Sequence, residues 1–368
     1  MKRSGVRSVG TDRRGRCGGG EGRSGAGGIR RLPRMGLLVA GLAVVALAGL
    51  AVADTVYVAS LTNGSLSRYD SANPAGTLTT LLPDGTLFSP AALALGPDGA
   101  LYIGESGNST TVGPQLRRFD VTTGTLSPEV VSLAAAGVFP ASIVLKGNDL
   151  LVGRNPLYQN TGPVVKVSVG QSGSSFNYTV SDYTVGGNLA SSPGLAIGPD
   201  GSLYVADQTY SFQTFAATGP VKKFDATGAY VGEVIANGAS GLLGPTGLVI
   251  SGSSLYTASI MNGNVLKTDL ATLNTTSFAS TGAPFGAGVM TMMQGDRLLV
   301  GSPAGDGAIY SFFADGSAGP TFASGLGQIG GIVAVPEPGS VTLAVTGAGL
   351  AAWCAWRRRR AGSRLRRP

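Results

Sequence analysis

The side chains that could do chemistry in this chain are limited in type, and those limits decide which reactions it can support. The 368 residues include no histidine, so the commonest general base and the commonest zinc ligand are both missing. Its two cysteines, Cys17 and Cys354, lie near the ends, which leaves the long middle part without a disulfide or a thiolate nucleophile. No serine sits in a Gly-x-Ser-x-Gly pattern, and a serine triad would have no histidine base. Chemistry in the middle of the chain must therefore come from carboxylates, amides and hydroxyls.

Polar residues follow six short apolar segments at one fixed place. They are Ser60, Glu105, Arg154, Asp207, Ser259 and Ser302. Only Glu105 and Asp207 are carboxylates. We favour a structural role for both, in which each accepts hydrogen bonds from backbone amides of the loop that follows it.

The elements that must position these residues repeat along the chain. Each repeat has an apolar strand, a turn such as Pro97-Asp98-Gly99, a second strand rich in Tyr and β-branched residues, and then a third and a fourth strand. The clearest copies are Ser89–Ser106, Ser192–Gln208 and Gly244–Ser259, and weaker ones are Pro140–Asn155 and Gly288–Pro303. Successive second strands are 49, 53, 52 and 43 residues apart. Four-stranded units at this period predict an all-β fold, a β-propeller.

The ends of the repeat region complete the count at six blades. Thr55–Asp70 has the pattern of a second and a third strand, and Ile329–Val335 has the pattern of a first strand. We predict that Gly331–Ala334 pairs beside Val56–Val58, which closes the ring and leaves no unpaired strand edge. A β-sandwich and a parallel β-helix are the alternatives.

The repeat pattern resembles the NHL-repeat and gluconolactonase-like six-bladed propellers, most clearly at Ser89–Asp120 and Ser192–Gly228. Members of that group include binding modules, scaffolds, a carbon–oxygen lyase and calcium-dependent lactonases. The resemblance implies a calcium site over the central channel with Glu105, Asn155 and Asp207 as the candidate ligands, because oxygen ligands suit calcium. Arg154 would lie in the same region, where it would repel a cation or pair with Glu105. Calcium is the one cofactor that the resemblance implies.

The first 53 residues have the features of an export signal. Met35–Ala53 is apolar, and Arg30, Arg31 and Arg34 precede it. Ala51-Val52-Ala53 matches the small-x-small pattern of a signal-peptidase site, which predicts cleavage before Asp54. An uncleaved N-terminal anchor is the alternative.

The C-terminal end has the features of a membrane anchor. Gly339–Trp356 is an uncharged run of 18 residues, long enough to span a bilayer as a helix. Four arginines follow it and would remain on the cytoplasmic side. They are Arg357, Arg358, Arg359 and Arg360. A buried C-terminal helix is the alternative.

The order of motif, span and arginine cluster resembles the PEP-CTERM sorting signal of Gram-negative bacteria. The motif residues are Val335, Pro336, Glu337 and Pro338. The resemblance implies that the tail anchors the chain in the inner membrane, that an exosortase processes it near this motif, and that the product reaches the cell surface or the extracellular matrix.

The basic charge of the chain belongs to these targeting segments. Residues 1–53 and 336–368 hold 10 and 7 of the 27 Lys and Arg residues, and they hold 3 of the 20 acidic residues. Residues 54–335 therefore carry a net charge of about −7. With no basic stripe to follow phosphates, nucleic acid is not an expected partner.

These observations divide the chain into a leader and signal peptide (1–53), a β-propeller (54–335) and a sorting signal (336–368). Tyr158, Tyr210, Phe212 and Phe215 fall in the two longest loops, where they would stack on sugar rings or meet a protein; we favour their packing over the propeller face. The sequence predicts an exported, non-catalytic binding or structural protein that meets a polysaccharide or protein ligand. The alternative is a calcium-dependent, lactonase-like hydrolase, whereas the lack of histidine disfavours a lyase.

Overall fold

The computed structural model describes residues 54–336, apart from 75–76, 109–110, 159–160, 173–174 and 306; at 129–130, 171–172 and 175 it describes the backbone only. The predicted signal segment, Glu337 and Pro338 of the sorting motif, the predicted C-terminal span and Arg357–Arg360 lie outside this range. Within the described residues, no helix is both long and apolar enough to cross a membrane.

The described residues form six antiparallel sheets, each of which is one blade. Strands are given from the centre of the ring outward. Blade 1 contains β25 (Ile329–Pro336), β1 (Asp54–Ser60), β2 (Ser65–Asp70) and β3 (Thr79–Leu82). Blade 2 contains β4 (Pro90–Leu95), β5 (Leu101–Glu105), β6 (Gln115–Asp120) and β7 (Thr125–Ser132). Blade 3 contains β8 (Pro140–Lys146), β9 (Asp149–Arg154), β10 (Val165–Ser172) and β11 (Ser175–Asp182).

The second half of the ring has the same plan with two departures. Blade 4 contains β12 (Gly194–Ile197), β13 (Leu203–Ala206), β16 (Val221–Phe224) and β17 (Tyr230–Ile235), with an extra hairpin of β14 (Thr209–Ser211) and β15 (Ala216–Thr218). Blade 5 contains β18 (Pro245–Ser251), β19 (Ser254–Ser259), β20 (Asn264–Asp269) and β21 (Thr275–Ser280). Blade 6 contains β22 (Val289–Met293), β23 (Arg297–Gly301) and β24 (Ile309–Phe312). Isolated bridges from Ala318 and Ala323 take the place of its fourth strand.

The two ends of the repeat region close the ring as the sequence predicts. β25 pairs antiparallel with β1, and Ala334, Val333 and Ile332 lie opposite Val56, Tyr57 and Val58. β25 also contacts β4 and β22, the inner strands of the two adjacent blades. The prediction of a closed six-bladed β-propeller is therefore confirmed, and the alternatives of a β-sandwich and a parallel β-helix are wrong.

The apolar core consists of six clusters, and each lies between two neighbouring blades. The cluster between blades 1 and 2, for example, joins Leu66 to Leu101, Ile103 and Phe119, all fully buried. Because successive side chains on a strand point to opposite faces, one strand can supply both of its neighbouring clusters. In β5, Tyr102 packs toward blade 3 while Leu101 and Ile103 pack toward blade 1.

The ring has two distinct faces. We call the face at which each inner strand begins the upper face, and the face at which it ends the lower face. The connections from second to third strands lie on the upper face, and the tight turns lie on the lower face. Gly99 and Gly201 close two of these turns with φ values of 76°, as their Pro-Asp-Gly sequences predict. In five blades an aspartate near the end of the third strand accepts a hydrogen bond from the backbone amide two residues later: Asp70, Asp120, Asp225, Asp269 and Asp315.

Gly330 on β25 lies where this inner strand closely approaches the inner strand of the next blade. A Cβ atom there would overlap the backbone carbonyl oxygen of Pro90 on the next blade. We expect Gly330→Ala to lower the free energy of unfolding by about 1–3 kcal/mol, as overpacking does. Urea unfolding measures this loss. Gly232→Ala is the matched control, because a Cβ on that β17 glycine meets no atom within 4 Å; equal losses in the two variants would contradict the predicted close approach.

Candidate functional site

The polar residues that follow the second strands mainly form hydrogen bonds with the incoming loop of their own blade, which is the loop that leads into the inner strand. In five of the six, the side chain bonds to the backbone of the loop that leads into the inner strand. The pairs are Glu105 with Phe88, Arg154 with Gly137, Asp207 with Ala190, Ser259 with Leu243 and Ser302 with Phe285. Ser60 differs, since its hydroxyl accepts a hydrogen bond from the amide of Asn63 in the following loop. The bonded residues are separated by a similar number of residues in all five pairs. The position therefore holds the incoming loop in place in every blade but the first.

Glu105 is fully buried at the end of β5. One carboxylate oxygen accepts a hydrogen bond from the Phe88 amide at 3.0 Å. The other accepts one from Gln115 Nε2 at 2.5 Å. Both oxygens therefore have protein partners, as buried carboxylates require.

Asp207 is held more strongly, because it forms a buried ion pair. Its Oδ2 atom lies 2.6 Å from Lys222 Nζ, and its Oδ1 atom accepts a hydrogen bond from the Ala190 amide at 2.7 Å. Lys222 also donates to the Gly187 carbonyl at 2.6 Å. Lys222 is accordingly buried, with 9% of its surface exposed.

Arg154 and Asn155 also bond locally. The Arg154 guanidinium donates to the carbonyl oxygens of Pro163 at 2.8 Å and Gly137 at 3.0 Å. Burial lowers the pKa of Arg154, and the charge of Asp182 opposes that shift. The Asn155 side-chain oxygen accepts from the Leu157 amide at 3.0 Å, which starts a short 3-10 turn, Pro156–Tyr158. Among the described residues no ion pair joins Arg154 to Glu105.

The structural role predicted for Glu105 and Asp207 needs one correction. Both do accept hydrogen bonds from backbone amides, but Phe88 and Ala190 precede their carboxylates by 17 residues and belong to the incoming loop. The prediction that these amides belong to the loop that follows each carboxylate is wrong. The physical reason is that the end of the second strand lies beside the start of the inner strand, as the pairing of Glu105 with Pro90 shows.

The central channel lies among the inner strands of all six blades and has a volume of about 450 Å³. Its lining is made of Ala, Val, Leu, Ile, Gly, Pro and Met side chains, with Ser142 and Thr291 as the only hydroxyls. Glu105, Arg154, Asn155 and Asp207 are not among the lining residues. As far as the described residues line it, the channel therefore offers an apolar wall and no carboxylate.

The candidate calcium ligands do not fit a cation site as they stand. Glu105 bonds to two protein donors, Asp207 is paired with a lysine ammonium, and Asn155 bonds to a backbone amide. In the described part of the chain, no group of three or more His, Cys, Asp and Glu side chains is placed to hold a metal ion. Calcium, with its preference for six to eight oxygen ligands, would have to displace these contacts.

A second site lies on the upper face of blades 3 to 5, and we call it the aromatic surface. It consists of Leu157, Tyr158, Tyr210, Phe212, Phe215 and Leu243. The β14–β15 hairpin at its centre contacts the 3-10 turn of blade 3. On the other side Ala217 of β15 lies against Gly244, next to Leu243. The hairpin thus joins the apolar residues of three blades into one region.

The rings of the aromatic surface are held in place but remain open to solvent. Tyr158 stacks on Phe139 with ring centroids 4.0 Å apart, and Tyr210 meets Phe212 edge to face at 5.0 Å. Tyr158 is 45% exposed, Phe212 43% and Phe215 67%. Our expectation that these rings pack over the propeller face is wrong for these three, while Tyr210 is half-buried.

Phe215 has a backbone conformation that an aromatic residue rarely adopts. Its φ is 50°, in the left-handed region. Holding a bulky residue there costs roughly 1–3 kcal/mol, and such strain is concentrated at functional sites. Sequence reasoning could not find this feature, because Ser211–Ala216 carries no glycine to mark the turn.

The aromatic surface is also free of charge. The loops 155–164, 208–219 and 236–244 contain no Lys, Arg, Asp or Glu. They do contain several amide side chains, among them Gln213, which can both donate and accept hydrogen bonds. The site can therefore recognise a flat, uncharged, hydroxyl-rich ligand.

A comparison with solved structures finds a similar fold. No protein-family model matches the chain, and no curated protein matches it in sequence. A chain of the solved nidogen–laminin complex is similar over 77% of this chain and 98% of its own length, with a TM-score of 0.58 and 12% identity. A structure named as a candidate 6-phosphogluconolactonase from Bacteroides uniformis is similar over 73% of this chain and 82% of its own length, with a TM-score of 0.49 and 17% identity. The chain is a six-bladed β-propeller, and identities this low show its fold alone.

The Asp207–Lys222 pair gives a prediction about stability. We expect Lys222→Met to lower the free energy of unfolding at pH 7 by about 3–5 kcal/mol, because it leaves the Asp207 carboxylate buried without its cation. Urea unfolding measures this. Adding Asp207→Asn should restore most of the loss, since the uncompensated charge is then removed.

Lys223→Met is the matched control on the neighbouring residue. Lys223 pairs with Asp200, whose side chain is 53% exposed. We expect a loss of only about 0–1 kcal/mol, as for other surface pairs. If Lys222→Met lowered the free energy of unfolding by as little as this, the buried Asp207–Lys222 pair would not stabilise the blade.

Proposed function

We propose that this chain is an exported, envelope-sorted β-propeller that acts as a non-catalytic binding protein. It presents the aromatic surface to an uncharged polysaccharide at the cell surface or in the extracellular matrix. The observation that carries this proposal is the grouping of three exposed rings, Tyr158, Phe212 and Phe215, on the upper face of the propeller. Contiguous exposed apolar side chains rimmed by polar groups are typical of binding sites.

The chemistry of the aromatic surface favours a carbohydrate over other ligands. Aromatic faces pack against the C–H faces of sugar rings, and neighbouring amide groups can bond to sugar hydroxyls. An anionic polymer would require Lys or Arg, which these loops lack. A rigid hairpin also suits the role, since groups already fixed in place lose little entropy on binding.

The topology supports the predicted arrangement at a membrane. Asp54 lies opposite Pro336 at the lower end of the β1–β25 pair, so the chain enters and leaves the propeller on the lower face. Two residues, Glu337 and Pro338, lie between Pro336 and Gly339, the start of the predicted span, and the three Cα–Cα steps from Pro336 to Gly339 reach roughly 10 Å at most when extended. A span at 339–356 would therefore keep the lower face near the bilayer, with the aromatic surface pointing away.

The predicted sorting motif begins inside the closing strand. Val335 and Pro336 are the last residues of β25 and pair with Thr55 and Asp54. Processing after Pro336 would leave the closing strand intact, so the propeller would survive the removal of its anchor. This arrangement is consistent with a tail that serves only for sorting.

The alternative of a calcium-dependent lactonase-like hydrolase has less support. Its candidate ligands Glu105, Asn155 and Asp207 all have protein partners, and the channel wall is apolar. A calcium titration followed by thermal melting separates the two functions, since a specific site raises the melting temperature by mass action. We expect no rise in the intact chain. A rise that disappears in Asn155→Ala would favour the hydrolase.

Phe215→Gly separates binding from stability. Glycine adopts a φ of 50° without steric cost, so the melting temperature should stay equal or increase. Removing the ring should weaken binding to neutral polysaccharides at least several-fold, because aromatic groups dominate such contacts. Affinity electrophoresis in gels containing dextran, laminarin or galactomannan measures the change in migration.

Leu273→Gly is the control for that experiment. Leu273 is an exposed apolar residue with φ of 58°, but it lies in the turn after β20 on the lower face. We expect this variant to bind as the unaltered chain does. If Phe215→Gly binds equally well, or if both variants lose binding together, the aromatic surface is not the ligand site.

Truncation tests the predicted sorting route. In a Gram-negative host, the full chain should fractionate with membranes, and a chain ending at Pro338 should be released in soluble form outside the cytoplasm. Intact mass defines both ends of each product. Recovery of the full chain in the cytoplasm with residues 1–53 retained would overturn the proposal of export.

A further inference from the structure

Asp54 contains an unexplained buried polar atom at the point where the ring closes. Its side chain is 1% exposed, and its Oδ2 atom accepts a hydrogen bond from the Gln294 amide at 2.7 Å. Its Oδ1 atom is buried and has no hydrogen-bond partner. Buried carboxylate oxygens are rarely left in this state, and each case requires an explanation.

The backbone of Asp54 is fixed from both sides by one residue. The Asp54 nitrogen donates to Ser71 Oγ at 2.7 Å, and the Asp54 carbonyl accepts from the Ser71 amide at 2.9 Å. Asp54 also lies opposite Pro336 in the ladder that joins β1 to β25. The nitrogen is thus held in place whether or not a residue precedes it.

Peptide cleavage before Asp54 would change the charge of that nitrogen without moving it. In the precursor it is an amide with one proton, which Ser71 already accepts. In a chain that starts at Asp54 it is an ammonium with three protons and a positive charge. The nitrogen and the carboxylate belong to the same residue, so a gauche χ1 rotamer would bring an ammonium proton to the unpartnered oxygen.

We infer that Asp54 is the mature N-terminus and that its α-ammonium pairs with its own buried carboxylate, which stabilises the closed ring only after processing. The inference rests on the proposed export, because it needs a peptidase to cut between Ala53 and Asp54. Hydrolysis of that one peptide bond consumes one water molecule and gives the Ala53 carboxylate and the Asp54 ammonium. The cleavage thus gives the buried Asp54 carboxylate a positive partner within the β1–β25 pair, which closes the propeller.

Titration behaviour agrees with an uncompensated carboxylate in the uncut chain. Burial raises the pKa of Asp54, and the hydrogen bond from Gln294 opposes that rise. A folded pKa above the unfolded value means that stability is present at low pH and decreases as the pH rises through the folded pKa. A positive charge at the same residue would lower that pKa and so reduce the loss of stability at neutral pH.

The other charged groups near Asp54 do not supply the missing cation. They are Arg68 and Asp70 on β2, Asp296 in the turn after β22, and Arg297 at the start of β23. Among the described residues, none of them forms an ion pair with Asp54. Asp70 and Asp296 accept hydrogen bonds from other groups, and Arg297 donates to Ser311.

The test compares chains that differ only at the N-terminus. One chain runs from Asp54 to Pro368 and a second starts at Ala53; both are released from a fusion by a protease that leaves no extra residue and are melted in the same mild detergent. At pH 7 we expect the Asp54 chain to melt at least about 3 °C higher, a shift of the size that one additional interaction gives in a domain of this length. Above about pH 9 the gap should shrink, because an α-ammonium loses its proton there.

Asp54→Asn in both chains is the matched control. Without the carboxylate, the two N-termini should melt at the same temperature. Equal melting of the two unaltered chains, or a gap that persists with asparagine, would overturn the inference. A gap in the test tube together with cytoplasmic location in the cell would instead overturn the proposed export and leave the N-terminal pairing intact.

Discussion

The pairing of β25 with β1 is the constraint on which the rest of the molecule depends. Each blade is a twisted sheet whose two faces are covered only by its neighbours, and the six apolar clusters lie between blades. If β25 left the first sheet, β1 would lose its inner partner and the clusters on both sides of blade 1 would open. Leu66, Tyr69 and Ile332 are buried in these two clusters. Closure thus converts six marginal sheets into one stable domain, as expected for a repeat architecture.

The polar residues at the upper end of the second strands follow from the same geometry. Each incoming loop must turn from the outer edge of one blade to the centre of the next, and its backbone groups need partners on the way. Glu105, Asp207 and Ser259 supply those partners by side chain where no neighbouring strand can. In a propeller, carboxylates at this position therefore need not indicate catalysis. The proposed binding surface lies elsewhere, on the hairpin that blade 4 adds between its second and third strands.

The sequence predicted the fold well because the signals for the fold are local and repeated. Pro-Asp-Gly turns, alternation around Tyr102 and Tyr204, and the half-blades at the two ends were enough to place six sheets and the closing strand. The sites were harder, because they depend on contacts between segments far apart in the chain. Lys222 looks like a solvated strand lysine until Gly187 and Asp207 are brought around it. The exposure of Phe215 likewise depends on its left-handed backbone conformation, which no neighbouring glycine in the sequence indicates.

The two faces differ in charge. On the lower face, hydrogen bonds from backbone amides and neighbouring hydroxyls lower the pKa of turn aspartates such as Asp120, Asp225 and Asp269, so these carboxylates stay ionised at neutral pH. The loops of the aromatic surface on the upper face carry no charge at all. The lower face also holds basic residues that pair with Asp98, Asp149 and Asp200, so charges of both signs lie on the face where the chain enters and leaves the ring.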